Sequence, residues 1–258
     1  MPHVRANGLD VHYTVEGEGP PLVLLHGASS SAIEDWGHQR ALFRQSFRCY
    51  LVDARGHAGT FWDGTGDWSR EDLVADLAAF ADALDLGTFH VAGFSMGAMT
   101  ALAFATRSPE RLASALIAGI DVEPEPRTSI STRAMDPERI EREEPAWATQ
   151  LERRHGPVQG EGAWRRLMGR MAAAAGKDPA LTPAELRSAR MPILLACGDR
   201  DPWVPLEHAV ALRRQLPDAR LLVAPGCEHV VTVRAAALLN TAALAFWRST
   251  GAIALPSG

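Results

Sequence analysis

Six short apolar runs, at 22–25, 47–52, 88–92, 112–119, 192–196 and 220–223, constrain this chain more than any other feature. Each is too short for a core helix. Each is continuous in its hydrophobicity rather than alternating, as strands are when a parallel sheet buries both of their faces. Helical patterns separate most of them. Ser69, with Asp72 three residues on, starts a helix whose apolar face is Leu73, Leu77, Phe80 and Leu84. Further helices are predicted over 96–107, stopped by Ser108-Pro109, over 205–215, and over 232–247 as a closing element. Strand–helix units of this length imply a mostly parallel sheet with helices on both faces. In front of them, Val4 and 11–15 flank Asn7-Gly8, a strong hairpin signal.

Residues 121–190 break the rhythm. The segment opens on Glu123-Pro124-Glu125-Pro126 and contains no convincing strand. Asp136-Pro137 is a helix start with proline in the first turn, and Thr182-Pro183-Ala184-Glu185 is a capping box. Trp164, Leu167, Met168 and Met171 follow helical spacing, and 141–144 reads as a solvated helix face. The expected organisation is a core of 1–120 and 191–258 interrupted by a helical cap at 121–190.

Composition narrows the function. Apolar residues make up 47% of the chain and the net charge is -5, with no basic stripe, so nucleic acid is not an expected partner. No apolar run is long enough for a membrane span, and no signal-peptide pattern opens the sequence. Cys49, Cys197 and Cys227 form neither a disulfide framework nor a zinc pattern. A cytoplasmic protein without a bound metal is expected.

Gly93-Phe94-Ser95-Met96-Gly97 lies between an apolar strand and a helix. A G-x-S-x-G sequence there makes a sharp turn that exposes the serine hydroxyl at a helix N-terminus. The plainer alternative is a glycine-rich turn whose serine only caps the helix. A hydroxyl needs a base to become a nucleophile. His229 is the candidate, in a loop directly after the last apolar run. The histidine needs a carboxylate to fix its tautomer. Gly198-Asp199-Arg200-Asp201-Pro202 offers two, and the spacing favours Asp201 over Asp199. Backbone N–H groups of Ala28, after His26-Gly27, and of Met96 are the expected oxyanion donors. His26 is read as bracing its loop.

Together, His26-Gly27, Asp53-Ala54-Arg55-Gly56-His57, 93–97, 198–205 and Gly226-Cys227-Glu228-His229 resemble the α/β-hydrolase superfamily over nearly the whole chain. The chain is similar in particular to small cap-bearing carboxylesterases, enol-lactonases and cofactor-free haloperoxidase-like esterases. The resemblance implies an α/β fold with an eight-stranded, mostly parallel sheet, its second strand antiparallel, and the cap inserted before the last two strands. The order serine, acid, histidine along the chain is the one this fold uses. One departure is Ala58-Gly59-Thr60 after Arg55-Gly56-His57, where relatives usually continue Gly-x-Ser. Serine rather than aspartate at the elbow argues against dehalogenase or epoxide hydrolase chemistry. The absence of Gly-Gly-Pro-Gly after His-Gly weakens C–C hydrolase and proline peptidase readings.

The expected activity is hydrolysis of a carboxylic ester or lactone through an acyl-enzyme on Ser95, with no cofactor and a small-molecule substrate. An acyltransferase or perhydrolase on the same triad, or a ligand-binding receptor on the same scaffold, are the alternatives. The insertion leaves from the carboxyl end of a strand, where sites of such sheets lie. Trp147, Trp164, Leu167, Met168 and Met171 are therefore expected to wall the substrate pocket.

Overall fold

The computed structural model describes residues 2–66, 68–120 and 122–254. Asp121, the expected first residue of the insertion, lies outside them, as do residues 1 and 255–258 of the core segments. Eight strands form one sheet: β1 (His3–Ala6), β2 (Leu9–Glu16), β3 (Pro21–Leu25), β4 (Arg48–Val52), β5 (Phe89–Phe94), β6 (Leu112–Ala118), β7 (Ile193–Gly198) and β8 (Ala219–Ala224). Their spatial order is β1-β2-β4-β3-β5-β6-β7-β8. β2 runs antiparallel to both neighbours, and β3 to β8 are mutually parallel.

The continuous hydrophobicity of the strands has a direct cause. Val23, Val91, Ile117 and Leu195 point into one apolar layer with α2 (Arg70–Ala83), α3 (Met96–Arg107) and Leu212 of α9 (Leu206–Gln215). Leu22, Leu24, Ala92, Leu116 and Leu194 point into the other. That second layer is closed by α1 (Ala32–Phe43), α10 (Val231–Arg234) and α11 (Ala236–Ser249). The closing helix is thus two helices, broken at Ala235, whose φ of -119° departs from helical geometry.

Between β6 and β7 lie α4 (Arg127–Ala134), α5 (Pro137–Glu143), α6 (Pro145–Gln159), α7 (Ala163–Ala174) and α8 (Pro183–Ser188). Asp136 caps α5 through the Glu138 N–H, and Thr182 and Glu185 form the reciprocal box that starts α8. Leu186 and Ala189 are fully buried in the core layer beside α3, and Ser188 Oγ donates to the Thr106 carbonyl at 2.6 Å. Helix α8 therefore packs against the core layer beside α3. Among the described residues no helix is long and apolar enough to cross a membrane.

Candidate active site

β5 ends at Phe94, and Ser95 takes a φ of 50° and a ψ of -113° before α3 begins. Serine at positive φ is a strained backbone, and its neighbours hold it there. A Cβ on Gly93 would stand 2.3 Å from the Gly97 carbonyl oxygen, and one on Gly97 would stand 2.4 Å from that of Leu25. Only glycine permits both approaches. The hydroxyl of Ser95 lies 3.0 Å from His229 Nε2, and His229 Nδ1 lies 2.8 Å from Asp201 Oδ2. The other oxygen of Asp201 accepts the N–H groups of Trp203 and Val204 at 2.8 and 3.2 Å. The loops after β7 and β8 meet closely because Gly198 has no side chain: a Cβ there would overlap the Cys227 carbonyl at 2.0 Å. Asp199, the rival carboxylate, is exposed on the same turn.

Ala28 and Met96 line a cavity of about 340 Å³ together with Ser95 and His229. Met96 is the first residue of α3, so its N–H lacks an intrahelical acceptor. In the loop after β3, Gly27 N–H is held by Asp35 and Ser29 N–H by His57, while Ser30 N–H bonds the Gly27 carbonyl. Among the described residues, that leaves the N–H of Ala28 for a ligand. His26 braces this loop: Nδ1 donates to the Gly27 carbonyl at 2.7 Å and Nε2 accepts the Ala54 N–H at 3.0 Å.

The walls differ from expectation, and the correction is informative. Of the five residues assigned to the pocket, Met171 lines the cavity. Trp164, Leu167 and Met168 are buried in an apolar cluster that also holds Trp62, Trp68, Leu73 and Met171, the last three of which line the cavity, and Trp147 packs against it. The helical stripe faces the loop after β4 for most of its length and reaches the cavity at its last turn. Trp164→Ala should therefore lower stability by about 3–5 kcal/mol and reduce activity on all substrates alike. Met171→Ala should enlarge the cavity and shift the preferred acyl length upward. Melting temperatures and a chain-length series of p-nitrophenyl esters check both.

Several site residues had no sequence signal beyond their identity. Trp203 stacks on the His229 ring, with centroids 5.2 Å apart, and lines the cavity. Helix α6 grips the loop of Ala28 from above. Arg154 Nη1 donates to the Ser29 carbonyl, as does His155 Nε2 at 3.2 Å. His155 Nδ1 accepts the Ala58 N–H at 3.0 Å, and Gln159 Nε2 donates to the Thr60 carbonyl at 2.8 Å. The departure at 58–60 is thus the site where α6 is fastened. Gly59 is obligatory there, since a Cβ would meet the His12 ring at 2.3 Å.

Burial sets the protonation of these histidines. It holds His57 well below the ordinary imidazole range, with His26 and His155 adding to the effect. His155 is pushed down to about 4 by burial and then by the Arg154 guanidinium. Both are neutral at pH 7 and accept backbone N–H groups. An unfolded chain protonates its histidines near about 6.5, so between that pH and 4 it binds protons that folded His155 refuses. Stability is complete above the upper limit and falls as the pH drops through this window, by about 3 kcal/mol for His155. His57, lowered in the same direction, adds to the loss, whereas Asp35, raised by burial, acts oppositely. Urea midpoints at pH 7 and pH 4.5 should show the decline, and His155→Gln should make it shallower, leaving the shares of His57 and of His90, which burial also pushes down to about 4.

Among the described residues no cluster of His, Cys, Asp and Glu is arranged to hold a metal ion. Comparison with known proteins gives a consistent picture. Residues 22–241 match the model of the alpha/beta hydrolase family. Over 101 residues the chain is 37% identical to N-formylmaleamate deformylase of Pseudomonas putida, covering 39% of this chain and 37% of that protein's length. Over 244 residues it is 28% identical to the pimeloyl-(acyl-carrier protein) methyl ester esterase of Nitrosomonas europaea, covering 85% and 92% of the two. The enol-lactonase from Burkholderia xenovorans LB400 shares its fold, with a TM-score of 0.75 at 21% identity over 95% of this chain and 99% of that one.

Proposed function

The chain belongs to the α/β-hydrolase family, and from that premise we propose that it is a serine hydrolase cleaving a carboxylic ester or lactone of a small to medium, partly apolar substrate. The observation that carries this reading is the unbroken hydrogen-bonded line from Asp201 through His229 to Ser95, opening onto a cavity of mostly apolar wall. In this reading Ser95 Oγ attacks the ester carbonyl as His229 Nε2 takes its proton. The N–H groups of Met96 and Ala28 hold the negative charge that develops on the carbonyl oxygen. The tetrahedral adduct collapses, His229 returns the proton to the leaving alkoxide, and the acyl group stays on Ser95. Water then gives a proton to His229 and a hydroxide to the acyl carbon, the bond to Ser95 Oγ breaks as His229 returns that proton to Oγ, and the acid leaves. Asp201, through its hydrogen bond to Nδ1, orients His229 and stabilises the imidazolium.

Helices α4 to α7 act in this reading as the cap that covers the site and limits substrate size. Three buried free cysteines, with Cys197 raised to about 11 by burial and by Asp201 and Asp199, suit a reducing cytoplasm. The test is turnover of p-nitrophenyl acetate, p-nitrophenyl butyrate and a panel of simple lactones. Steady hydrolysis of at least one class, well above its rate in buffer, is expected. Failure with all of them by a folded, monodisperse sample overturns the reading.

A further inference from the structure

The cavity over Ser95 is apolar along most of its wall, with Trp68, Leu73, Met99, Ile120 and Leu181 among its residues. Among the described residues, its charged lining consists of Arg70, Arg127, Lys177 and Asp178. Lys177, the only lysine of the chain, is exposed at the rim. Arg70, the first residue of α2, is 5% exposed. Its Nη2 donates to the Pro179 carbonyl at 2.9 Å, and its buried Nε has no hydrogen-bond partner among the described residues.

Among the described residues, the acidic groups around Arg70 also serve other partners. Glu71 is 3.8 Å away and is itself held by Arg107. Asp178 accepts the backbone N–H of Arg70, at 3.1 and 3.4 Å to its two oxygens. Glu185, which also feels the charge of Arg70, closes the capping box on Thr182. The Glu71 carboxylate that pairs with Arg70 is distant and shared with Arg107, which leaves the buried guanidinium short of charge-assisted hydrogen bonds, and a guanidinium fork matches a carboxylate in geometry as well as charge.

We propose that the substrate carries a second, ionised carboxylate, and that Arg70 binds it while Ser95 attacks the ester or lactone carbonyl. This rests on the esterase reading above. Lys177 also lines the cavity, and the apolar wall holds the carbon chain between the two ends. The substrate class is a half-ester of a dicarboxylic acid, or an ester or lactone bearing a free carboxylate, rather than a neutral ester.

Two pairs of esters matched in shape test this. Mono-p-nitrophenyl glutarate against p-nitrophenyl 5-methylhexanoate places the charge on the acyl side. 4-Acetoxyphenylacetate against 4-isobutylphenyl acetate places it on the alcohol side. After correction for hydrolysis in buffer, the charged member of one pair should exceed the neutral one in kcat/KM by about tenfold or more. That ratio should fall with added sodium chloride, and by about tenfold in Arg70→Gln, with Arg70→Lys between. Ratios of one or less in both pairs, or a ratio identical in wild type and Arg70→Gln, overturn the proposal. If no ester at all is hydrolysed, the esterase reading fails by itself, and the anion site is read separately from melting temperature. Glutarate should then raise it in the wild type and not in Arg70→Gln. No rise in the wild type refutes the site.

Discussion

Replacing Ser95 with alanine is expected to lower kcat on p-nitrophenyl esters by about six orders of magnitude, the scale seen when a triad nucleophile is removed. The melting temperature should change by no more than a few degrees. The two effects separate because the hydroxyl's hydrogen bond is to His229, at the edge of a solvent-filled cavity, and no buried group loses a needed partner. The strained φ of 50° is imposed by the packing of Gly93 and Gly97, and alanine tolerates it no worse than serine. The measurement is kcat for both proteins at matched concentration of folded enzyme, with urea midpoints alongside. A variant that keeps even a tenth of wild-type turnover would remove Ser95 from the chemistry.

Asp201→Asn should reduce kcat by about four orders of magnitude, whereas Asp199→Asn should stay within severalfold of wild type. The reason lies in which proton each nitrogen of His229 carries. The carboxylate oxygen facing Nδ1 accepts an N–H, which leaves Nε2 unprotonated toward Ser95. An asparagine keeps its carbonyl oxygen on the Trp203 and Val204 N–H groups and presents NH₂ to Nδ1. The ring then takes the opposite tautomer, with a proton on Nε2, and cannot act as base. Asp199 points into solvent on the same turn and makes no such choice. Steady-state kinetics of the two variants on one ester decide the matter, and the reverse ranking would reassign the acid.

How much of this was legible in the sequence depends on the range of the forces involved. The sheet was readable because Leu22–Leu24, Val91–Ala92 and Leu194–Ala196 are buried on both faces, and that burial writes itself into consecutive residues. The elbow was readable because its two glycines answer contacts within a few residues of sequence or with the adjacent strand. Asp201 and Asp199 are two residues apart, and spacing could only favour one; the turn that buries the first and exposes the second is a three-dimensional fact. Helix α1 escaped notice because its buried side includes Asp35 and Gln39, which hold the Gly27 N–H and the Thr232 carbonyl, so its apolar pattern is weak. The stripe through Trp164 and Met171 announced a buried face without saying what covers it. That is why Trp147, Trp164, Leu167 and Met168 join Met171 in the cluster around Trp62 and Trp68 without lining the cavity themselves. Arg154, His155 and Gln159 lie about a hundred residues from the loops they hold, and no local pattern encodes such a tie.

The central claim is that Ser95 becomes the covalently acylated atom. Its most direct test is exposure of the native protein to a fluorophosphonate, followed by intact-mass analysis and peptide mapping. One adduct per chain is expected, on the peptide containing Ser95, formed at a rate that collapses in a His229→Gln variant of normal melting temperature. An adduct on any other serine, or no adduct from a protein that still hydrolyses esters, would contradict the account.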